Sequence, residues 1–211
     1  MRISELAERS GVSTATIKYY VREGLLPPGE VTSRTQAIYG EHHLDRLRLL
    51  RTLREVGDVP VSRLRDLVDA IAEPRGSAHR VLAVAADTLS PTPPNPSERP
   101  ANWKAALAVA NALIDRAGWT NVRRNAPDRE NLAAALSLVT GSEPDPDAIG
   151  GLDVYLDAAD RIAQFDIASL DLEQDRAGLV EQMVFGQVVF GQVLLTLRRL
   201  AEEHHSALRM S

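Results

Sequence analysis

Two glycines, Gly11 and Gly24, cut the start of the chain into a pair of short segments, and this punctuation constrains the fold more than any other feature. Residues 4 to 11 read as a helix with Ser4 as its expected N-cap. Glu5 and Glu8 suit the positive end of its dipole, and Gly11 stops it in the left-handed conformation. Ser13 caps a second helix whose core side is Ile17, Tyr20 and Val21, and Gly24 ends it. Helix, three-residue turn, helix is the spacing of a helix-turn-helix.

The following stretch, LLPPGEVTSRTQAIYG, is punctuated by Pro27-Pro28-Gly29 and Thr32-Ser33, with strand-compatible residues at Leu25-Leu26 and Ala37-Ile38-Tyr39, and predicts a β-hairpin or wing. From Glu41 to Val56, Leu44, Leu47, Leu50 and Leu53 alternate with Arg46, Arg48, Arg51 and Arg54, giving an amphipathic helix ended by Gly57. Ser62 is the expected cap of a fourth helix, with Leu64, Leu67, Val68 and Ile71 on its apolar face. A helix over 77–89 then runs into SPTPPNPSERP, whose prolines predict a linker. Further helices are expected over about 101–117, 128–140, 146–168 and 174–205. The expected fold is therefore mainly α. A winged helix-turn-helix occupies residues 1–75, a short helix and Pro-rich linker 76–100, and an all-helical bundle 101–211.

Composition narrows the function. There is no cysteine, which excludes disulfides, thiolate nucleophiles, Cys-ligated zinc and iron–sulfur clusters. No Gly-rich phosphate loop, nucleophile elbow or HExxH motif is present, and the pairs His42-His43 and His204-His205 diverge on a helix, so no catalytic, cofactor or metal site is expected. Asp153, Asp157 and Asp160 share a helix face near Asp145 and Asp147 but read as solvated. The opening residues lack the character of a signal or transit peptide, which predicts a cytoplasmic protein. The sixteen uncharged residues 182–197, broken by three Gln and two Gly, fall short of the roughly 20 apolar residues of a bilayer span, so no membrane partner is expected.

Net charge is −5, yet residues 1–75 hold 12 Lys+Arg against 11 Asp+Glu and residues 76–211 hold 12 against 18. DNA binding by the first part thus depends on how its cations are arranged. At about 100° per residue, Ala15, Lys18, Tyr19 and Arg22 cluster on the second helix opposite Ile17, Tyr20 and Val21. Cations to reach base edges or phosphates, a phenol to bond a phosphate and a small residue for close approach suit a recognition helix.

With the wing residues Arg34 and Tyr39 and the arginine-rich third helix in order behind it, the stretch ISELAERSGVSTATIKYYVREGLLPPG resembles the MerR family of transcription regulators, above all at Thr16-Ile17-Lys18-Tyr19-Tyr20 and Gly24-Leu25-Leu26. The resemblance covers residues 1 to about 72. It implies DNA contacts by Ser13, Thr16, Lys18, Tyr19, Tyr20 and Arg22 in the major groove, by Arg34 and Tyr39 in the first wing, and by Arg63 and Arg65 in or near the second. The face analysis, by contrast, turns Tyr20 inward. The resemblance further implies a homodimer on promoter DNA that acts on RNA polymerase indirectly, by bending and untwisting an overlong spacer.

Such regulators pair through one long helix after the fourth. The helix over 77–89 is too short for that, so the last helix, carrying Leu179, Val180, Met183, Val184, Val188, Gly191, Leu194 and Leu195, is the expected dimer element. The repeated FGQV at 185 and 190 is expected to point its two copies in different directions. The layout of the second half loosely resembles the effector domain of TetR-type regulators. Trp103, Trp119, Tyr155 and Phe165 are the expected lining of a pocket for a hydrophobic small molecule. The alternative is an architectural or partner-recruiting protein whose helical part only dimerises or docks another protein.

Overall fold

The structure is a computed structural model that describes residues 1–33, 36–55, 57–73, 77–141 and 151–210. It divides into two compact units: residues 1–89 with 170–211, and residues 90–169. This differs from the division expected at 75 and 100. The helix after residue 77 and the last helices both cluster with the N-terminal unit, and the Pro-rich stretch clusters with the second.

In the first unit, α1 (Ile3–Ser10) and α2 (Thr14–Arg22) form the helix-turn-helix. α1 starts one residue before Ser4, with Arg2 in the N-cap position, whereas Ser13 caps α2 as expected by accepting from the Thr16 N–H at 3.1 Å. Gly11 (φ 68°) and Gly24 (φ 73°) both adopt the left-handed conformation that the two helix ends require. Leu25 and Leu26 are not strand residues. Their amides both donate to the Tyr20 carbonyl, at 2.9 and 3.2 Å, closing α2, and both side chains enter the core.

The hairpin is short. β1 (Glu30–Ser33) pairs antiparallel with β2 (Gln36–Ile38), Glu30 opposite Ile38 and Val31 opposite Ala37. Tyr39 exchanges two bonds with Met1, its N–H donating to the Met1 carbonyl at 2.9 Å and its carbonyl accepting from the Met1 amino group at 2.7 Å.

α3 (Glu41–Glu55) is the axis of this unit, burying Leu44, Leu47, Leu49, Leu50 and Leu53 in one core with Leu6, Ile17 and Tyr20. Its start is closed by His43, whose Nδ1 accepts the Gly40 N–H at 3.0 Å, a role that Glu or Gln fills in a capping box. Arg9 of α1 makes two bonds to Glu41 of α3, at 2.7 and 3.0 Å. α4 (Val61–Ala72) follows Pro60 at its N-cap rather than Ser62, because the extended, fixed φ of proline already supplies the helix entry. α5 (Ala78–Leu89) packs on α4.

The chain returns to this core through α9 (Arg176–Phe185), which buries Leu179, Val180 and Val184 and touches both α3 and α5. A π-helical turn, Gly186–Phe190, and α10 (Gly191–Met210) continue it, so Arg176–Met210 is one 35-residue helix. The π-turn changes the reading of the FGQV repeat. Residues five apart, which diverge on an α-helix, come together when hydrogen bonds span five residues, and Phe185 and Phe190 meet edge to face at 6.4 Å.

The second unit is helical among its described residues. α6 (Trp103–Arg116) and α7 (Pro127–Leu136) pack through Ala106, Val109, Ala110, Leu113, Ala133 and Leu136, with Leu152 and Leu156 of α8 (Leu152–Ala168) at the margin. The Pro-rich stretch is not a free linker. Ser90 bonds Asp128 at 2.8 Å, Asn131 donates to the Pro91 carbonyl at 3.0 Å, and Arg99 pairs with Glu130 at 2.7 Å, strapping it along α7.

Two outcomes follow from the α3 packing. Leu47→Ala, at a fully buried site, loses about 2–5 kcal/mol of stability in urea unfolding. Burial, then His42, lowers the pKa of His43, and protonating Nδ1 also breaks its bond to Gly40. Since the folded-state pKa lies below the unfolded value of about 6.5, the contribution of His43 to stability is fully present above that value and is lost as pH falls below it and through the lower folded-state pKa. His43→Gln, scanned from pH 8 to 5 by thermal unfolding, shows a flatter loss of stability than the parent.

Candidate nucleic-acid interface

The sharp turn at Gly11 and the Ser13 cap present one side of α2 to solvent. Ser13, Ala15, Lys18 and Arg22 are exposed, while Ile17 is fully buried beneath them. Ser13 Oγ also lies 2.8 Å from Thr16 Oγ1, so the first turn carries two adjacent hydroxyls. The Arg22 guanidinium stacks over the half-buried Tyr19 ring at 5.1 Å and pairs with Glu23 at 3.4 Å. Lys18 has no ion-pair partner among the described residues. A platform of two cations, two hydroxyls and a phenol on one helix side is what phosphate and base-edge contacts require.

Tyr20 does not join this platform. It is 6% exposed, its ring packs 5.9 Å from Tyr19 within the core, and burial raises its pKa. The inward turn that the face analysis gave it is the observed one. Tyr39 is also largely buried: it is 8% exposed, with its ring edge-on to His43 at 5.1 Å. Arg34 lies outside the described residues.

The two arginines of α4 are engaged with the protein. Arg63 donates to the Asp87 and Thr88 carbonyls at the end of α5, each at 3.4 Å. Arg65 is exposed, and its Nη2 donates to the Glu23 carbonyl at 2.6 Å, bracing the end of α2. Sequence reasoning had no signal for that brace, which spans 42 residues. It also missed Arg51, whose Nη1 reaches the Ser10 carbonyl at 3.4 Å just ahead of the turn.

The four rings expected to line an effector pocket have separate settings in the second unit. Trp103 lies under the Arg99 guanidinium at 4.7 Å, with its Nε1 buried and unpartnered. The Trp119 Nε1 donates to Asp160 at 2.8 Å. Tyr155 is exposed, and Phe165 borders an open depression with Ala158, Arg161 and Ile162. Asp160 also accepts from Gln164, and Asp153 pairs with Arg116 at 3.2 Å. Asp145 and Asp147 fall outside the described residues. Among the described residues no three His, Asp or Glu side chains gather as a metal site.

A hydroxyl-capped, cation-bearing second helix over a leucine core, followed by a hairpin, defines a winged helix-turn-helix of the DNA-binding class. The family described as MerR HTH family regulatory protein matches residues 1–71, so the N-terminal third of the chain carries a DNA-binding domain of the MerR type.

Among curated proteins, the mercuric resistance operon regulatory protein of Bacillus cereus is 41% identical over 56 residues, covering 26% of this chain and 42% of that one. The HTH-type transcriptional regulator ZntR homolog of Haemophilus influenzae is 36% identical over 69 residues, covering 33% and 50%. The chain thus spans half or less of the length of these two relatives. Over its whole length it is similar to the crystal structure of SCO5550 from Streptomyces coelicolor A3(2), a protein assigned as a transcriptional regulator. That match has TM-score 0.63 and 33% identity, and covers 99% of this chain and 97% of that one.

The helix geometry generates two expectations. Ser13→Ala removes the α2 cap and lowers stability by about 1 kcal/mol in chemical unfolding. Lys18→Ala and Arg22→Ala each weaken specific DNA binding by about 1–3 kcal/mol where the side chain reads a base, measured by gel-shift titration.

Proposed function

We propose that the protein is a cytoplasmic transcription regulator that binds promoter DNA as a homodimer, seats α2 of each subunit in the major groove, and responds to a small organic molecule. The observation that carries this reading is the presence of two exposed surfaces on one unit: the cationic side of α2 and the apolar side of α10. A two-fold DNA reader needs a self-complementary interface to hold two recognition helices at half-site spacing.

α10 supplies such a surface. None of its residues is buried, though Leu197 and His204 follow Phe190 of the π-turn at intervals of seven, and Val193, Leu200 and Ala207 lie three residues after each. That is the a/d spacing of a coiled-coil seam. Leu197 and Leu200 are each 58% exposed, an unfavourable state for large apolar side chains along one helix edge. The residues expected earlier on the helix divide differently. Leu179, Val180 and Val184 belong to the core of the first unit, and Leu194 and Leu195 remain outside.

By length and composition Arg176–Met210 is also long and apolar enough to cross a membrane, with a mean hydropathy of 1.4 in its most apolar window. Arg198, Arg199, Glu202, Glu203, His204 and His205 crowd its second half, which favours a seam between protein chains.

The relative named for mercuric resistance bears on the signal, and here the absence of cysteine argues for an organic molecule over a thiolate-bound metal. On this reading the dimer acts on RNA polymerase through the DNA, using contact energy to bend and untwist the promoter, and the ligand shifts the population of distorting and nondistorting arrangements.

The double variant Leu197→Asp/Leu200→Asp tests the dimer. By sedimentation it becomes monomeric, and its affinity for a two-half-site DNA falls at least tenfold while the helical circular-dichroism signal is kept. A parent protein that sediments as a monomer at micromolar concentration, or that partitions into lipid vesicles through this helix, contradicts the reading.

A further inference from the structure

One side of α8 is taken up within its own unit. Leu152 and Leu156 touch the α6–α7 core, Asp153 pairs with Arg116, and Asp160 accepts from the Trp119 indole. At about 100° per residue the opposite side carries Tyr155, Ala158, Ile162 and Phe165. No residue of this 17-residue helix is buried, and on that side Tyr155 is 56% exposed and Phe165 72%. Large rings left in water along one helix edge mark a surface that another molecule covers.

The order of side chains along this stripe says what covers it. Its steps of three, four and three residues are the a/d spacing of a seam between helices. Ala158, Arg161, Ile162 and Phe165 border a depression of about 390 Å³, and their i, i+3, i+4, i+7 spacing is that of a hole that receives a side chain from a facing helix. The stripe is also self-complementary. Turned end for end about a two-fold axis beside Asp160, it sets Tyr155 against Phe165 and Ala158 against Ile162, ring to ring and small side chain to large. A parallel copy stacks Ala158 on Ala158 and leaves that layer underfilled. Charge fits the same arrangement. Arg161 and Asp157 lie on one flank of the stripe, both exposed and neither in an ion pair among the described residues. An antiparallel copy brings its Asp157 to about 3 Å along the axis from Arg161, so each arginine at the two-fold axis has a carboxylate of the other copy beyond it.

We propose that this face of α8 is a second self-association surface, which pairs antiparallel with the same face of another copy of the chain. Four side chains a copy is well below the roughly 20–30 residues a side of a standard interface, so the contact is weak by itself. The Leu197→Asp/Leu200→Asp variant therefore still sediments as a monomer at micromolar concentration. The pairing is argued from α8 alone and does not rest on the α10 seam.

The absence of cysteine makes oxidative cross-linking of the full chain the test. In Tyr155→Cys/Phe165→Cys the two thiols are about 15 Å apart along one helix and cannot join within a copy. This double variant forms covalent dimer at least tenfold faster than either single variant at the same protein concentration. Adding Ile162→Asp to it slows the reaction at least tenfold while the helical circular-dichroism signal is kept. Adding Arg161→Asp slows it at least threefold, and the exchange Asp157→Arg/Arg161→Asp restores it. No covalent dimer in the double variant, or a single variant that cross-links as fast as the double one, overturns the proposal. A rate indifferent to Ile162→Asp in the folded protein, or not restored by the charge exchange, overturns it equally.

Discussion

The burial of Ile17 against the leucine stripe of α3 decides what α2 can do. A nine-residue helix has little stability of its own, so its orientation comes from the side it buries. With Ile17 and Tyr20 fixed inward among Leu44, Leu47, Leu50 and Leu53, Lys18 and Arg22 have no choice but to face solvent. The Ser13 cap, the left-handed Gly11 and the Arg65 brace at Glu23 then hold the helix ends. Recognition chemistry on α2 is a consequence of packing beneath it.

The same leucine stripe accounts for the second feature of the molecule, the return of the chain to its beginning. α3 has more apolar surface than α1 and α2 cover, and α9 fills the remainder with Val180 and Val184. The long helix that extends through α10 is thus rooted in the DNA-binding unit.

Much of this was legible in the residues. The glycine punctuation, the Ser13 cap, the period of leucines in α3 and the outward set Lys18, Tyr19 and Arg22 all follow local rules of periodicity and capping, and so did the inward turn of Tyr20. Tyr20 and Tyr39 match the motif by position, but a motif does not register how deep a ring sits, and both are largely buried. Leu25 and Leu26 looked like strand residues because propensity does not register that their amides were needed to close α2. The grouping of α9 with the first unit was out of reach, because contacts between residues more than a hundred apart leave no periodic trace. The π-turn escaped for a related reason: FGQV read on an α-helical wheel diverges, and only the wider turn brings Phe185 onto Phe190.

The central claim is that the outward side of α2 lies in the groove of duplex DNA. Site-specific photocross-linking measures this directly, with a benzophenone amino acid placed at the exposed Ala15 and, as a control, at the exposed Asp115 of the second unit. The account predicts that the probe at Ala15 joins to bases of a DNA fragment bound by the protein, symmetrically in two half-sites, and that the probe at Asp115 does not. Cross-links from Asp115 with none from Ala15 contradict it.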